Sequence, residues 1–189
     1  GGSSQTSDGS QTSDGSDTSD AAVFSQTGLS FDGTEDSAQV YDYQTDFAPK
    51  DGAVAMSFTA DDVSGRQGLC SQDVSAFGEG GQISAMLEDD DIVVRLENEQ
   101  ESYELTAPDA IDAGQRYDMA TSFGADGFKL YLNNQQVDYS DFTGGPDTTE
   151  SLVVGANQAA GGDGTTAGVQ DALDGNVEAV QLYDRSLSD

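Results

Sequence analysis

Glu97, Glu99 and Glu101 are spaced i, i+2, i+4, so on an extended strand all three carboxylates share one face. That pattern raises the question of glycoside hydrolysis, in which a retaining mechanism uses two carboxyl groups roughly 5–5.5 Å apart. The intervening residues are Asn98, Gln100 and Ser102, which give the opposite face nothing to bury. The run also falls between the apolar segments Ile92–Leu96 and Ser102–Leu105, where a hairpin tip belongs. A hydrated tip is therefore expected, with no catalytic residue. The chain has no histidine, which removes the usual proton-transfer partner. Its single cysteine, Cys70, thus lacks a histidine base and reads as a small buried hydrophobe on a strand. One cysteine also means no intrachain disulfide.

Two acidic segments suggest metal binding. Asp89, Asp90 and Asp91 form the densest acidic run, but consecutive side chains diverge and calcium needs convergent oxygens. A hydrated turn is expected there. Gly161-Gly162-Asp163-Gly164 matches part of a glycine-rich calcium nonapeptide, yet Thr166 stands where that repeat has Asp, and the period does not recur. It reads as a long loop. For glycan contact the candidates are Tyr41, Tyr43 and Asn157. Tyr41 and Tyr43 flank Asp42 and so share a face, suited either to stacking on sugar or to cross-strand packing. Asn157 opens the long polar loop 156–170, and long loops in small domains often carry function.

The elements that must hold these groups are strands. Tyr117, Met119, Thr121 and Phe123 alternate with Asp118, Ala120 and Ser122, the period of a half-buried strand. Gly124–Gly127 then break the run. Phe128, Leu130 and Leu132 resume it, and Asn133-Asn134 supplies residues that tolerate positive φ in a tight hairpin. Turn signals recur along the chain without a helix-period segment, which predicts an all-β domain.

The order of parts in residues 114–137, a Gly-x-x-Tyr strand, a Gly-x-x-Gly turn, Leu-Tyr-Leu-Asn and a second turn, resembles the central hairpins of a laminin G-like jellyroll. That family belongs to the concanavalin A-like lectin and glucanase superfamily. The resemblance runs on. Leu29–Gly33 is similar to its opening strand, and 53–62 to a core strand with Val54, Met56 and Phe58 on one face. Residues 82–87 and 92–96 resemble its next hairpin, 151–157 an apolar strand end closing on Gly155, and 173–188 the closing strand. Two departures stand out: the chain has no Trp, and Asn134 replaces the usual hairpin glycine.

The resemblance implies an antiparallel β-sandwich jellyroll and a non-catalytic binding or adhesion role. Carbohydrate is the leading ligand class, and a structural or protein-contact domain at a cell surface is the alternative. In glucanases of the superfamily the residues between the carboxylates are apolar, unlike Asn98 and Gln100 here. The resemblance also implies a structural calcium at the sheet rim, held by loops beside the first and last strands. Asp32 and Asp36 would come from one loop, Asp171 and Asp174 from the other. The other reading is that Asp32 and Asp174, each followed by glycine, are turn residues.

Composition bounds the partners. Residues 1–22 repeat a Gln/Asp-Thr-Ser-Asp unit and bury too little apolar surface to order themselves, so a solvated tether is expected, with the domain at 23–189. Thirty-six acidic residues against six basic ones give a net charge of −30, and Asp outnumbers Glu by 27 to 9. That pattern points to adaptation to high salt. It makes nucleic acid and anionic membranes poor partners, since phosphate binding needs a basic patch. No apolar run is long enough to span a bilayer, so no membrane insertion is expected. The tether and the resemblance together point to an extracellular or cell-surface protein.

Overall fold

Alternation becomes register in the computed structural model, which describes residues 22–41, 51–73, 81–98, 100–146, 152–158 and 169–186. Nearly all of the tether, Tyr43, Glu99 and the segment 161–164 lie outside the described residues. One six-stranded sheet orders β1 (Phe24–Asp32), β14 (Asp174–Tyr183), β3 (Gly52–Ala60), β8 (Arg116–Phe123), β9 (Phe128–Leu132) and β10 (Gln135–Ser140). The second orders β2 (Gln39–Tyr41), β11 (Leu152–Val154), β4 (Arg66–Asp73), β5 (Gln82–Glu88), β6 (Asp91–Glu97) and β7 (Ser102–Ala107). A short ribbon, β12 (Asn157–Gln158) with β13 (Val169–Gln170), completes the antiparallel sandwich. Among the described residues helix is limited to one 3-10 turn at Glu35–Ser37, and no helix is long and apolar enough to cross a membrane. The expected jellyroll sandwich is the observed fold.

The core lies between the inward faces of the two sheets. Val54, Met56 and Phe58 of β3 are buried as their spacing requires, alongside Met119, Phe123, Phe128 and Leu130. Leu69, Leu87, Ile92, Leu96 and Leu105 meet them from the second sheet. Cys70 is buried among them, and burial pushes its thiol up to about 12, so no thiolate forms at neutral pH.

The turns follow their residue chemistry. Asn133 and Asn134 take φ of 50° and 66°, the left-handed pair that a two-residue hairpin needs. At the β6–β7 tip, Asn98 Oδ1 accepts from the N–H groups of Gln100 and Glu101, and Ser102 Oγ donates to Glu97 Oε1. Asn98, Gln100 and Glu101 thus lie at the hairpin tip that the polar spacers indicate, with Glu97 ending β6 opposite Ser102. Gly155 sits at φ +84°, where a Cβ would stand 2.1 Å from Phe31 Cε1. Glycine is required there because the buried Phe31 ring fills the space.

Candidate functional site

Side chains on β3 alternate in size as well as polarity. Inward go Val54, Met56 and Phe58; outward go Ala55 and Ser57. Register sets Ala55 opposite Ala120 of β8 and Gln181 of β14, and Ser57 opposite Asp118 and Ala179. Ala120 in turn faces Tyr131 of β9. Small side chains on three adjacent central strands leave the outer surface of the first sheet low in its middle and higher on either side. The result is a cleft of about 190 Å³, lined on this surface by Ala55, Ser57, Ala120 and Ala179, with Asp118, Tyr131, Asn134 and Gln181 around them. Tyr183 continues the β14 side, its hydroxyl donating to Gln181 Oε1 at 3.0 Å.

The polar groups of this cleft are held in place. Asp118 exchanges backbone contacts with the hairpin: Asn133 N donates to Asp118 O at 2.7 Å, and Asp118 N donates to Asn133 Oδ1 at 3.0 Å. Its Oδ1 accepts from Ser57 Oγ and lies 3.7 Å from Arg116 Nη2. Across β3, a bulge in β14 brings Glu178 to the same surface, where Thr59 Oγ1 donates to its Oε1 at 2.8 Å. A floor of small side chains with an aromatic edge and fixed oxygen acceptors suits a flat, hydroxyl-bearing ligand.

The residues picked out from the sequence lie elsewhere. Tyr41 is on β2 of the second sheet, half-buried, with its ring edge-on to Phe24 at 5.0 Å. Desolvation raises its hydroxyl above the usual tyrosine range. Asn157 is buried: its Nδ2 donates to Asp171 Oδ2 at 3.1 Å, while its Oδ1 has no partner among the described residues. Two residues singled out for different roles therefore touch. At the rim, Asp32 and Asp174 are register partners on β1 and β14. Asp32 Oδ1 accepts from Thr34 N at 3.0 Å and Thr34 Oγ1 at 2.7 Å, and these bonds hold its carboxyl below the usual range. Asp174 N donates to Gln67 Oε1 at 2.9 Å, and Asp36 is exposed in the 3-10 turn.

Among the described residues, the carboxylates gathered in a group of three within 4.8 Å are Asp90, Asp91 and Asp109, and the four rim aspartates form no such group. Asp89 turns away to accept from Gly65 N, but the consecutive Asp90 and Asp91, expected to diverge, come together instead. Asp109 arrives from beyond β7, a convergence that no local spacing reveals.

Solved structures share this architecture. The CBM40 of the Ruminococcus gnavus IT-sialidase, solved with α2,3-sialyllactose bound, aligns with a TM-score of 0.67 at 17% identity. The alignment covers 89% of this chain and 95% of that one. The K499G mutant of NanB sialidase from Streptococcus pneumoniae aligns with a TM-score of 0.72 at 14% identity, covering 89% of this chain but 27% of the sialidase. A native heptameric SAP-like pentraxin from Limulus polyphemus gives 0.62 at 19% identity, covering 84% and 76%. No curated protein matches by sequence. The laminin G family model described as the concanavalin A-like lectin/glucanases superfamily matches residues 31–189. With its two antiparallel sheets and that match over most of its length, this chain belongs to the concanavalin A-like lectin/glucanase superfamily.

Proposed function

We propose that this domain is a non-catalytic glycan-binding module of an extracellular or cell-surface protein, and that it binds on the outer surface of the first sheet. The observation that carries the reading is the cleft floored by Ala55, Ser57, Ala120 and Ala179, with Tyr131 on one side and Gln181 on the other. Sugar rings need a shallow floor, a ring to lie against and fixed acceptors for hydroxyls, and this surface supplies each. Kinship with a fold that holds sialyllactose in the Ruminococcus gnavus CBM40 supports the same class of ligand. The non-catalytic part rests on the lining, where Asp118 is the one carboxylate, with Glu178 outside it and bonded to Thr59, whereas hydrolysis by paired carboxylates needs two facing the sugar.

A glycan array run in molar KCl tests the reading with the wild type and Ala120→Leu. Leucine at this outward position fills the floor while changing stability by less than about 0.5 kcal/mol. Saturable binding that disappears in Ala120→Leu, with an unchanged melting temperature, is the expected result. Binding that survives the substitution would move the site elsewhere, and an array blank for the wild type would remove the glycan reading.

The alternative, a protein-contact domain, draws on Val137 and Tyr139, large apolar side chains that are exposed among the described residues on edge strand β10. Calcium at the rim remains part of the proposal. The donors are all oxygen, as calcium prefers, and Asn157 Oδ1 is a buried orphan acceptor beside Asp171. Asp32 and Asp174 are register partners on the terminal strands, and holding the ion together with Asp36 and Asp171 would require these loops to draw in, since the four form no convergent group without it. Bound there, it would cross-link the two ends of the sheet.

A further inference from the structure

We infer that the cleft selects uncharged glycans and discriminates against sialylated ones, with Asp118 as the residue that sets the preference; this rests on the glycan reading of the same surface. None of the ten residues lining the cleft is cationic. Arg116, the nearest cation on β8, is already directed at Asp118, with its Nη2 3.7 Å from Oδ1. Ser57 Oγ donates to that same oxygen, so Asp118 Oδ2 is left without a partner among the described residues. A free carboxylate oxygen on a fixed backbone is an acceptor for a sugar hydroxyl. For a ligand carboxylate it is a like charge that the exposed Arg116 guanidinium, 3.7 Å from the other oxygen, offsets only in part.

The surroundings reinforce this preference. Glu178 lies on the same surface across β3, hydrogen-bonded to Thr59, and adds a second negative charge beside the cleft. The whole chain carries −30, so its field opposes the approach of any anion. A sialylated ligand therefore meets repulsion on approach and at contact, whereas a neutral ligand meets neither. Repulsion between exposed charges is screened by salt, with a Debye length of about 8 Å at physiological ionic strength and about 3 Å at 1 M. The preference should accordingly shrink as salt rises.

The test uses the full chain and pairs of glycans that share a neutral core, one member of each pair capped by sialic acid. Affinities are measured by calorimetry at the lowest KCl concentration at which circular dichroism shows the folded domain, and again at 3 M. The expected result is about a fivefold preference for the uncapped member, the size of one like-charge contact at about 4 Å in a water-like dielectric. The ratio should narrow at 3 M KCl and in Asp118→Asn, which keeps the shape and removes the charge. Equal or tighter binding of the capped member, lost together with that of its partner in Ala120→Leu, would overturn the selectivity and leave the cleft standing. Failure of every pair to bind, or binding indifferent to Ala120→Leu, would overturn the cleft reading and the selectivity with it.

Discussion

Asp32 is held by the residues of its own turn. Its Oδ1 takes both donors of Thr34, and Asp174 is its register partner on the neighbouring strand. The Thr34 bonds lower its folded value below the ordinary 3.8. A depressed carboxylate adds stability that is present above the unfolded value and is lost as pH falls through the folded one. Its contribution is thus intact at neutral pH and fades only in acid below about 4. Millimolar calcium is expected to raise the melting temperature even in 2 M KCl, where general screening is saturated. At a hundredfold excess over the dissociation constant the gain is about 2.7 kcal/mol, or roughly 5–10 °C for a domain of this size. Asp174→Asn should abolish the increment and preserve the salt dependence. A melt unmoved by calcium or by chelation would leave these residues as turn formers.

At the scale of elements, one glycine shows how tightly the sandwich is closed. The end of β11 reaches Gly155 in the left-handed region, directly over the Phe31 ring. Gly155→Ala would pair a strained φ with a steric clash and is expected to cost about 3 kcal/mol. The corresponding fall in melting temperature, about 6–12 °C, can be read by circular dichroism. A loss below 1 °C would mean that Phe31 has room to move. The Asn133-Asn134 hairpin was legible from local residue chemistry, and this glycine, the strand over 53–62 and the closing strand were legible through the laminin G-like order of parts. The cleft was not. Ala55 and Ser57 show as small residues between Val54, Met56 and Phe58, but small outward residues form a depression only when their neighbours are small too. Those neighbours are set beside them by strand order, Ala120 from 65 residues beyond Ala55 and Ala179 from 122 beyond Ser57. Asn157 was singled out as a loop residue exposed to ligand, whereas packing buries it against Asp171.

At the scale of the molecule, charge dominates behaviour in solution. A net charge of −30 on a small domain opposes compaction unless counterions screen it. The melting temperature is expected to rise markedly between about 0.1 M and 2 M KCl, and a flat profile over that range would remove the high-salt reading. The chain's first and last strands raise a separate matter, concerning its synthesis. β1 pairs along its length with β14 alone, and β14 lies between β1 and β3. The Ser30–Asn176 hydrogen bond joins residues 146 apart in sequence. A chain emerging from the ribosome therefore carries its opening strand unpaired until nearly the whole domain has been translated. Contacts this distant in sequence slow folding and prolong the life of exposed strand edges. Loss of the ten residues of β14 would separate β1 from β3 and open the sheet at that seam.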